Sequence, residues 1–343
     1  MNYSFPLLLV IIASVFQGTF GLGMKYMKPL PWEAWWLVHS LVAMLAVPLI
    51  WALVAVPDLF QVIAAAPSAA VQKGMLYGFL WGVGGILFGV SVGYVGVSIT
   101  YGIVMGLAAA SGSLVPLAQM ENAGSNPATP FVLVGVAIML AGVAICAIAG
   151  VRRDRLAAAN RPEGPEKSFR IGLIIACACG LLSSLLNVGF ANATPVADAA
   201  VRAGALPRNS SLAAWVVVLL GAALMNVGYA GFLFIRNRSW IGFRVVNAGK
   251  ACRWAIIAGL LWFGALGIYG QGAALMGHIG PVIGWPILLG LSLIVSNALG
   301  FFTGEWRGAS GPFRLMVVGL VVLIGACTLL GYANSVSASA AVQ

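Results

Sequence analysis

Residues 76–94 read LYGFLWGVGGILFGVSVGY, and residues 95–119 continue VGVSITYGIVMGLAAASGSLVPLAQ. From Gly74 to Gln119 there are two apolar runs, with Val95-Gly96 as the only break. No charged residue lies between Lys73 and Glu121. A helix that crosses a bilayer needs about 20 apolar residues, so the stretch supplies two of them back to back. Gly78, Gly82, Gly85, Gly89 and Gly93, then Gly102 and Gly106, recur at helical spacing. Small residues three or four apart let helix backbones approach closely in lipid. The stretch therefore reads as a tightly packed helical hairpin. Trp81, Tyr94, Ser98, Tyr101, Ser111 and Ser113 set polar-capable groups into it. Such groups within a span need partners and usually line a cavity.

A second copy of the hairpin lies downstream. A shift of 181 residues lays Gly78, Leu80, Trp81, Gly89, Gly96 and Ser111 on Gly259, Leu261, Trp262, Gly270, Gly277 and Ser292. The tryptophan match, flanked by glycines in one register, points to an internal duplication.

The whole chain has the same character. Of its 343 residues 61% are hydrophobic and 8% charged, and the mean hydropathy is +1.01. Soluble domains carry about 25% charged residues, so this is an all-α integral membrane protein. The net charge of +10 comes from basic residues in short loops. Membrane topology accounts for it, and no nucleic-acid partner is implied. The first apolar run, Phe5–Met24, lacks a basic leader and reads as a mature span. Cys146, Cys177, Cys179, Cys252 and Cys327 fall in or at the ends of apolar runs. They read as small lipid-compatible residues rather than metal or disulfide partners. Cys177 and Cys179, two apart, point in different directions on a helix.

Ten spans are expected: Phe5–Met24, Glu33–Val56, Gly74–Tyr94, Val97–Met120, Pro130–Val151, Phe169–Ala193, Ser211–Ile235, Ala251–Met276, Val282–Thr303 and Phe313–Ala333. One long polar linker divides them. Residues 1–151 form a first five-helix repeat, 152–168 a cytoplasmic linker, and 169–343 a second five-helix repeat. Five is odd, so the repeats insert with opposite orientation, the inverted plan of many secondary transporters. Fifteen of the 18 Lys and Arg residues fall on one side of this arrangement and three (Lys73, Arg202, Arg208) on the other. The positive-inside rule then places the linker in the cytoplasm and both termini outside.

Titratable groups are scarce. Glu33 follows Pro31-Trp32 at the start of the second span. It reads either as a first-turn acid that complements the helix dipole, or as a protonatable carboxylate at the cytoplasmic mouth of a cavity. His39 lies six residues deeper, about 9 Å along a helix, as a titratable imidazole or a neutral one bonded to a neighbouring helix. The two do not share a helical face. Glu305, with Trp306, ends the ninth span, either as a loop acid paired with Arg307 or as a coupling carboxylate. Asp58, Glu121 and Asp198, and the linker acids Asp154, Glu163 and Glu166, read as solvated.

Gln17, Asn187, Asn192, Asn226, Gln271 and Asn297 fall inside apolar runs. Carboxamides donate and accept, which suits sugar hydroxyls. The plainer use for any one of them is an interhelical hydrogen bond of about 0.6–2 kcal/mol. Trp81, Tyr101, Tyr229, Trp262, Tyr269 and Trp285 offer faces for a pyranose ring, or membrane-interface anchors. Trp81 and Trp262 sit well inside their spans. No Walker loop, HExxH or GxSxG is present, and Gly82-x-Gly84 with Gly89 lacks the βαβ setting of a dinucleotide loop. No enzyme activity, cofactor or nucleotide drive is expected, so an ion gradient or the substrate's own gradient supplies the energy.

The chain resembles the L-rhamnose–proton symporters of the drug/metabolite transporter superfamily. The residues that carry the likeness are Lys25 and Lys28 leading to Trp32-Glu33, Trp81-Gly82-x-Gly84 with Gly89, and Tyr94-x-Gly96-x-Ser98 with Gly102-Ile103. Asn192, Asn226-x-Gly228, Trp262, Tyr269 and Glu305-Trp306 continue it, so it covers essentially the whole chain. Gly85 and Leu87 depart from the family's polar positions after Trp-Gly-x-Gly, and His39 is not part of that pattern. The resemblance implies a multi-pass protein of the bacterial inner membrane that imports L-rhamnose, or a related 6-deoxyhexose, with a proton. It raises Glu33 and Glu305 as coupling groups. A uniporter or exporter of another small metabolite, or a non-transporting sugar sensor, are the rival readings. A linker of about twenty residues leaves little room for a sensor domain.

Overall fold

The computed structural model describes residues 4–121, 123–158 and 168–340, so Glu163 and Glu166 lie outside the described residues. Every regular element among the described residues is helical, and ten helices are long and apolar enough to cross a membrane. They are α1 (Ser4–Lys25), α2 (Trp32–Ala55), α3 (Ser68–Val95), α4 (Val97–Gln119), α5 (Thr129–Leu156), α6 (Phe169–Arg202), α7 (Pro207–Arg236), α8 (Ala248–Leu275), α9 (Gly277–Phe302) and α10 (Ser310–Ser339). In hydrocarbon a backbone N–H or C=O has no water partner, and a helix satisfies both internally. That is why apolar runs became helices. The ten expected spans are all present, but several outrun their apolar cores. Among these is α5, which continues through Arg152-Arg153-Asp154-Arg155. Conversely, α6 is interrupted at Ala193 between helices Phe169–Asn192 and Thr194–Arg202, the second opening with Pro195.

Gly96 and Gly277, matched by the 181-residue shift, break the chain in the same way. Their φ angles are +82° and +71°, and they join α3 to α4 and α8 to α9. Only glycine adopts this backbone freely.

Proline shapes three of the spans. In α2 a π-helical segment, Leu41–Ala46, precedes Pro48. Proline offers no N–H to the Met44 carbonyl, and the widened turn resets the ladder. In α4, Pro116 leaves the Gly112 carbonyl without its helical donor; in α9, Pro286 does the same to Val282. Both carbonyls are recaptured from other helices. Asn187 Nδ2 donates to Gly112 O (2.8 Å) and Pro281 O (2.9 Å), and Ser113 Oγ donates to Val282 O (2.6 Å). Replacing Asn187 with leucine strands the buried Gly112 carbonyl and is expected to cost about 1–3 kcal/mol, read as a lower melting temperature in detergent. An unchanged melting temperature would remove Asn187 from this structural role.

The chain condenses into two compact units, each drawing on both halves of the sequence. The first, here the aromatic unit, comprises Asn2–Gly82 and Gly189–Gly280. In it α8 packs against α1, α2 and α7. Ala248, Ala251, Ala255 and Ala258 form one small-residue stripe of α8 against which Leu30, Ala34 and Trp35 are buried. The approach of α3 to α7 is closer still. A methyl group on Gly78 would collide with the Val218 carbonyl oxygen, and one on Gly221 with the Met75 carbonyl oxygen. The second, the arginine unit, comprises Val83–Val188 and Pro281–Gln343. There α5 packs against α4 and α10, and Trp285 donates from Nε1 to Ala108 O at 3.0 Å.

Candidate functional site

The first two turns of α2 carry Trp32, Trp35, Trp36 and His39 at i, i+3, i+4 and i+7, which is one helical face. In the aromatic unit this face becomes a cage. Trp32 stacks on Trp36 (ring centroids 5.7 Å apart), Trp35 on His39 (5.4 Å), and Trp36 tilts over His39 at 4.9 Å. Phe20 stacks on His39 at 6.3 Å, and Trp262 meets it edge-on at 6.4 Å. Trp262 in turn lies 5.5 Å from Trp81, so the two repeat-matched tryptophans touch.

One carboxamide is fixed within these rings. Trp36 Nε1 donates to Asn226 Oδ1 at 3.1 Å, and Asn226 Nδ2 donates to Ala222 O at 3.0 Å. Gly82, beside Trp81, leaves room for Asn226: a Cβ there would stand 3.0 Å from Asn226 Nδ2. Tyr229 meets Trp32 edge-on. His39 is 1% and Trp262 5% exposed, whereas Trp32, Trp36, Trp81 and Tyr229 are half-buried and keep ring surface free. The His39 ring faces the Ala255 backbone without a well-formed hydrogen bond. On α1, Gln17 has a buried Oε1 with no partner among the described residues. Chemically this is an apolar, aromatic-walled surface with a few oriented polar atoms, the composition of a small-molecule site.

Glu33 lies on another face of α2, as expected. It is buried, and its Oε1 accepts from Asn237 Nδ2 (2.9 Å) and from Ser239 Oγ. It also sits in the first turn after Pro31. The two readings of Glu33 are therefore compatible: a helix-opening acid that is also a buried carboxylate with neutral donors.

Three further expected residues make their contacts elsewhere in this unit. Tyr269 joins Phe190 and Trp215 in a separate ring cluster. Gln271 Nε2 donates to Asn209 Oδ1 at 3.3 Å. Asn192 ends the first helix of α6, with a polar contact of its own.

The arginine unit holds a polar cavity of about 180 Å³ lined by Ser98, Tyr101, Ser296, Asn297, Glu305 and Trp306. Asn297 is tied to its own helix through Leu293 O (2.8 Å), and the Tyr101 hydroxyl meets Ser296. At the mouth, Arg153 lies 5.0 Å above the Trp306 ring. Its Nη1 reaches Glu305 Oε2 at 3.4 Å, and its Nη2 reaches Asp154 Oδ1 at 2.9 Å. Ser98 Oγ donates to the other Asp154 oxygen.

One sequence expectation changes here. Asp154 is no free linker acid but a bridged residue of α5. Glu305 pairs with Arg153 of α5, a partner outside its own loop. The charged run resembled a loop because helix continuation past the apolar core leaves no hydropathy signal. The α2 spacing of Trp36 against His39 was a readable signal for the cage. Side chains of Arg153 and Glu305 are 24% and 40% exposed, and exposed pairs contribute only about 0–1 kcal/mol. Arg153→Gln is thus expected to leave the melting temperature within a few degrees of wild type. A large drop would mean that the bridge is structural.

A family model described as L-rhamnose-proton symport protein (RhaT) matches residues 4–336. Curated relatives include the L-rhamnose-proton symporters of Yersinia pestis (strain Pestoides F) and Yersinia pseudotuberculosis serotype O:1b (strain IP 31758). Each is 26% identical over 319 residues, covering 90% of this chain and 91% of the relative.

Proposed function

Because the chain belongs to the L-rhamnose-proton symport family, we propose that it imports L-rhamnose, or a related 6-deoxyhexose, together with a proton. The membrane is the bacterial inner membrane, with both termini outside. The observation that carries the sugar assignment is the Trp36–Asn226 hydrogen bond beside the Trp81–Trp262 pair. A carboxamide held in place can exchange hydrogen bonds with hydroxyls, and ring faces suit the apolar face and methyl group of a deoxysugar. Trp36, Trp81, Asn226 and Trp262 hold the sugar. Glu33 carries the coupling proton, and His39 and Glu305 are the other titratable groups of the pathway. Gly85 is exposed, with open space where a side chain would stand. The left-handed glycines at 96 and 277 support the reading of residues 1–151 and 169–343 as inverted repeats.

The test is sugar-triggered proton movement in proteoliposomes. A pH dye reports while L-rhamnose, L-fucose, L-mannose and D-glucose are added in turn. Alkalinisation outside with one deoxysugar is expected. Saturable binding of a sugar without any proton movement would instead assign a uniporter or a sensor. In the same assay Trp81→Ala should raise the half-saturating sugar concentration about tenfold, equivalent to roughly 1.4 kcal/mol. An unaltered value would move the sugar site away from this cage.

A further inference from the structure

The arginine unit has a second and larger cavity, of about 630 Å³. It is a trough between α4 and α5, with Cys177 of α6 at its edge, and it differs in character from the polar cavity. Gly102, Gly106, Ala144 and Ala147 make its floor. The helices come close there, since a methyl on Gly102 would collide with Ala147 Cβ. Leu140 and Ile148 edge it, 39% and 48% exposed. From Leu140 to Val151 the trough follows α5 over eleven residue steps, about 16 Å at 1.5 Å per step. One leaflet of the hydrocarbon core is about 15 Å deep.

Beyond Val151 the lining changes sharply to Arg152 and Arg155. They are three apart, so they share a helical face, while Arg153 between them turns away to Asp154, Glu305 and Trp306. Both are exposed, and neither has an ion-pair or hydrogen-bond partner among the described residues. An apolar channel one leaflet deep, closed at its polar end by two guanidinium groups that are unpaired among the described residues, matches one molecule in chemistry and in length. Guanidinium groups bind phosphate oxygens in bidentate fashion, and basic pockets between spans recognise anionic lipid head groups.

We propose that this trough binds an anionic phospholipid, one acyl chain lying along α4 and α5 and the phosphodiester held by Arg152 and Arg155. A zwitterionic lipid would bring its own cation up to the two arginines and is disfavoured. The site is separate from the aromatic cage and does not depend on the sugar assignment.

Native mass spectrometry of the full-length protein in mild detergent tests it, with phosphatidylglycerol and phosphatidylcholine of identical acyl chains. Wild-type protein should retain phosphatidylglycerol at about one-tenth the concentration needed for phosphatidylcholine. Arg152→Gln with Arg155→Gln should bring the two lipids to parity. Ala144→Trp, an exposed position on the trough floor, should lose the tight phosphatidylglycerol adduct while keeping both arginines. Equal retention of the two lipids by wild type overturns the proposal. So does a wild-type adduct pattern from Ala144→Trp, which would reduce the interaction to surface charge alone. Circular dichroism of each variant establishes that it is folded before its adducts are compared.

Discussion

Glu33→Gln is expected to exchange sugar across the membrane at near wild-type rates and to fail to concentrate it. The size of the effect follows from the driving force. One proton charge moved through 100 mV is worth about 2.3 kcal/mol, which is roughly fifty-fold accumulation. A carrier that no longer takes up the proton equilibrates the sugar instead, so that accumulation ratio falls to about one. Glutamine is the right replacement for a structural reason. Its side-chain oxygen can still accept from Asn237 Nδ2 and Ser239 Oγ. Alanine would strand the buried Ser239 hydroxyl, at about 1–3 kcal/mol, and mix misfolding with uncoupling. Labelled-sugar counterflow and potential-driven uptake, measured side by side, separate the two functions. Uphill uptake by Glu33→Gln equal to that of wild type would remove Glu33 from coupling and leave His39 and Glu305 to be tested the same way.

The second large effect concerns the fold. Gly78→Leu or Gly221→Leu should yield no monodisperse protein on size-exclusion chromatography, and even Gly78→Ala should melt well below wild type. Overpacking of an ordinary core costs about 1–3 kcal/mol, usually by displacing side chains. Here the obstacle to a Cβ is backbone on both sides, the Val218 carbonyl facing Gly78 and the Met75 carbonyl facing Gly221. Relief requires α3 and α7 to separate along their contact. Gly231 of the same α7 is the control, because a methyl there meets nothing within 4 Å. Gly231→Ala should be neutral or stabilising by about 0.5–1 kcal/mol. Equal melting of Gly78→Ala and Gly231→Ala would show that the helices yield without cost.

The sequence reading and the structure agree best where hydrocarbon alone dictates the outcome. Ten spans and their order followed from run length, because lipid leaves an apolar segment only one backbone solution. The uses of the polar residues did not follow. Asn187 and Asn226 look equivalent in sequence, each a lone carboxamide in an apolar run. Asn187 is fully buried on carbonyls that Pro116 and neighbouring backbone leave available, whereas Asn226 meets a tryptophan at the half-buried cage. Which carbonyl faces which amide depends on helix rotation, and hydropathy carries no information on that angle. The same limit hid Arg153, whose neighbours in the chain are a charged run and whose neighbours in space are Asp154, Glu305 and Trp306.

The glycine joint at Gly96 bears on how the protein is made. There the path from α3 to α4 turns within a single residue. The tip has no hydrophilic stretch to be carried across the bilayer or held back from it. The two helices can thus leave the insertion machinery as one folded-over element, with backbone groups satisfied before lipid surrounds them. Lengthening the joint with polar residues would divide that event into two separate insertions, the second of which must haul a hydrated segment along.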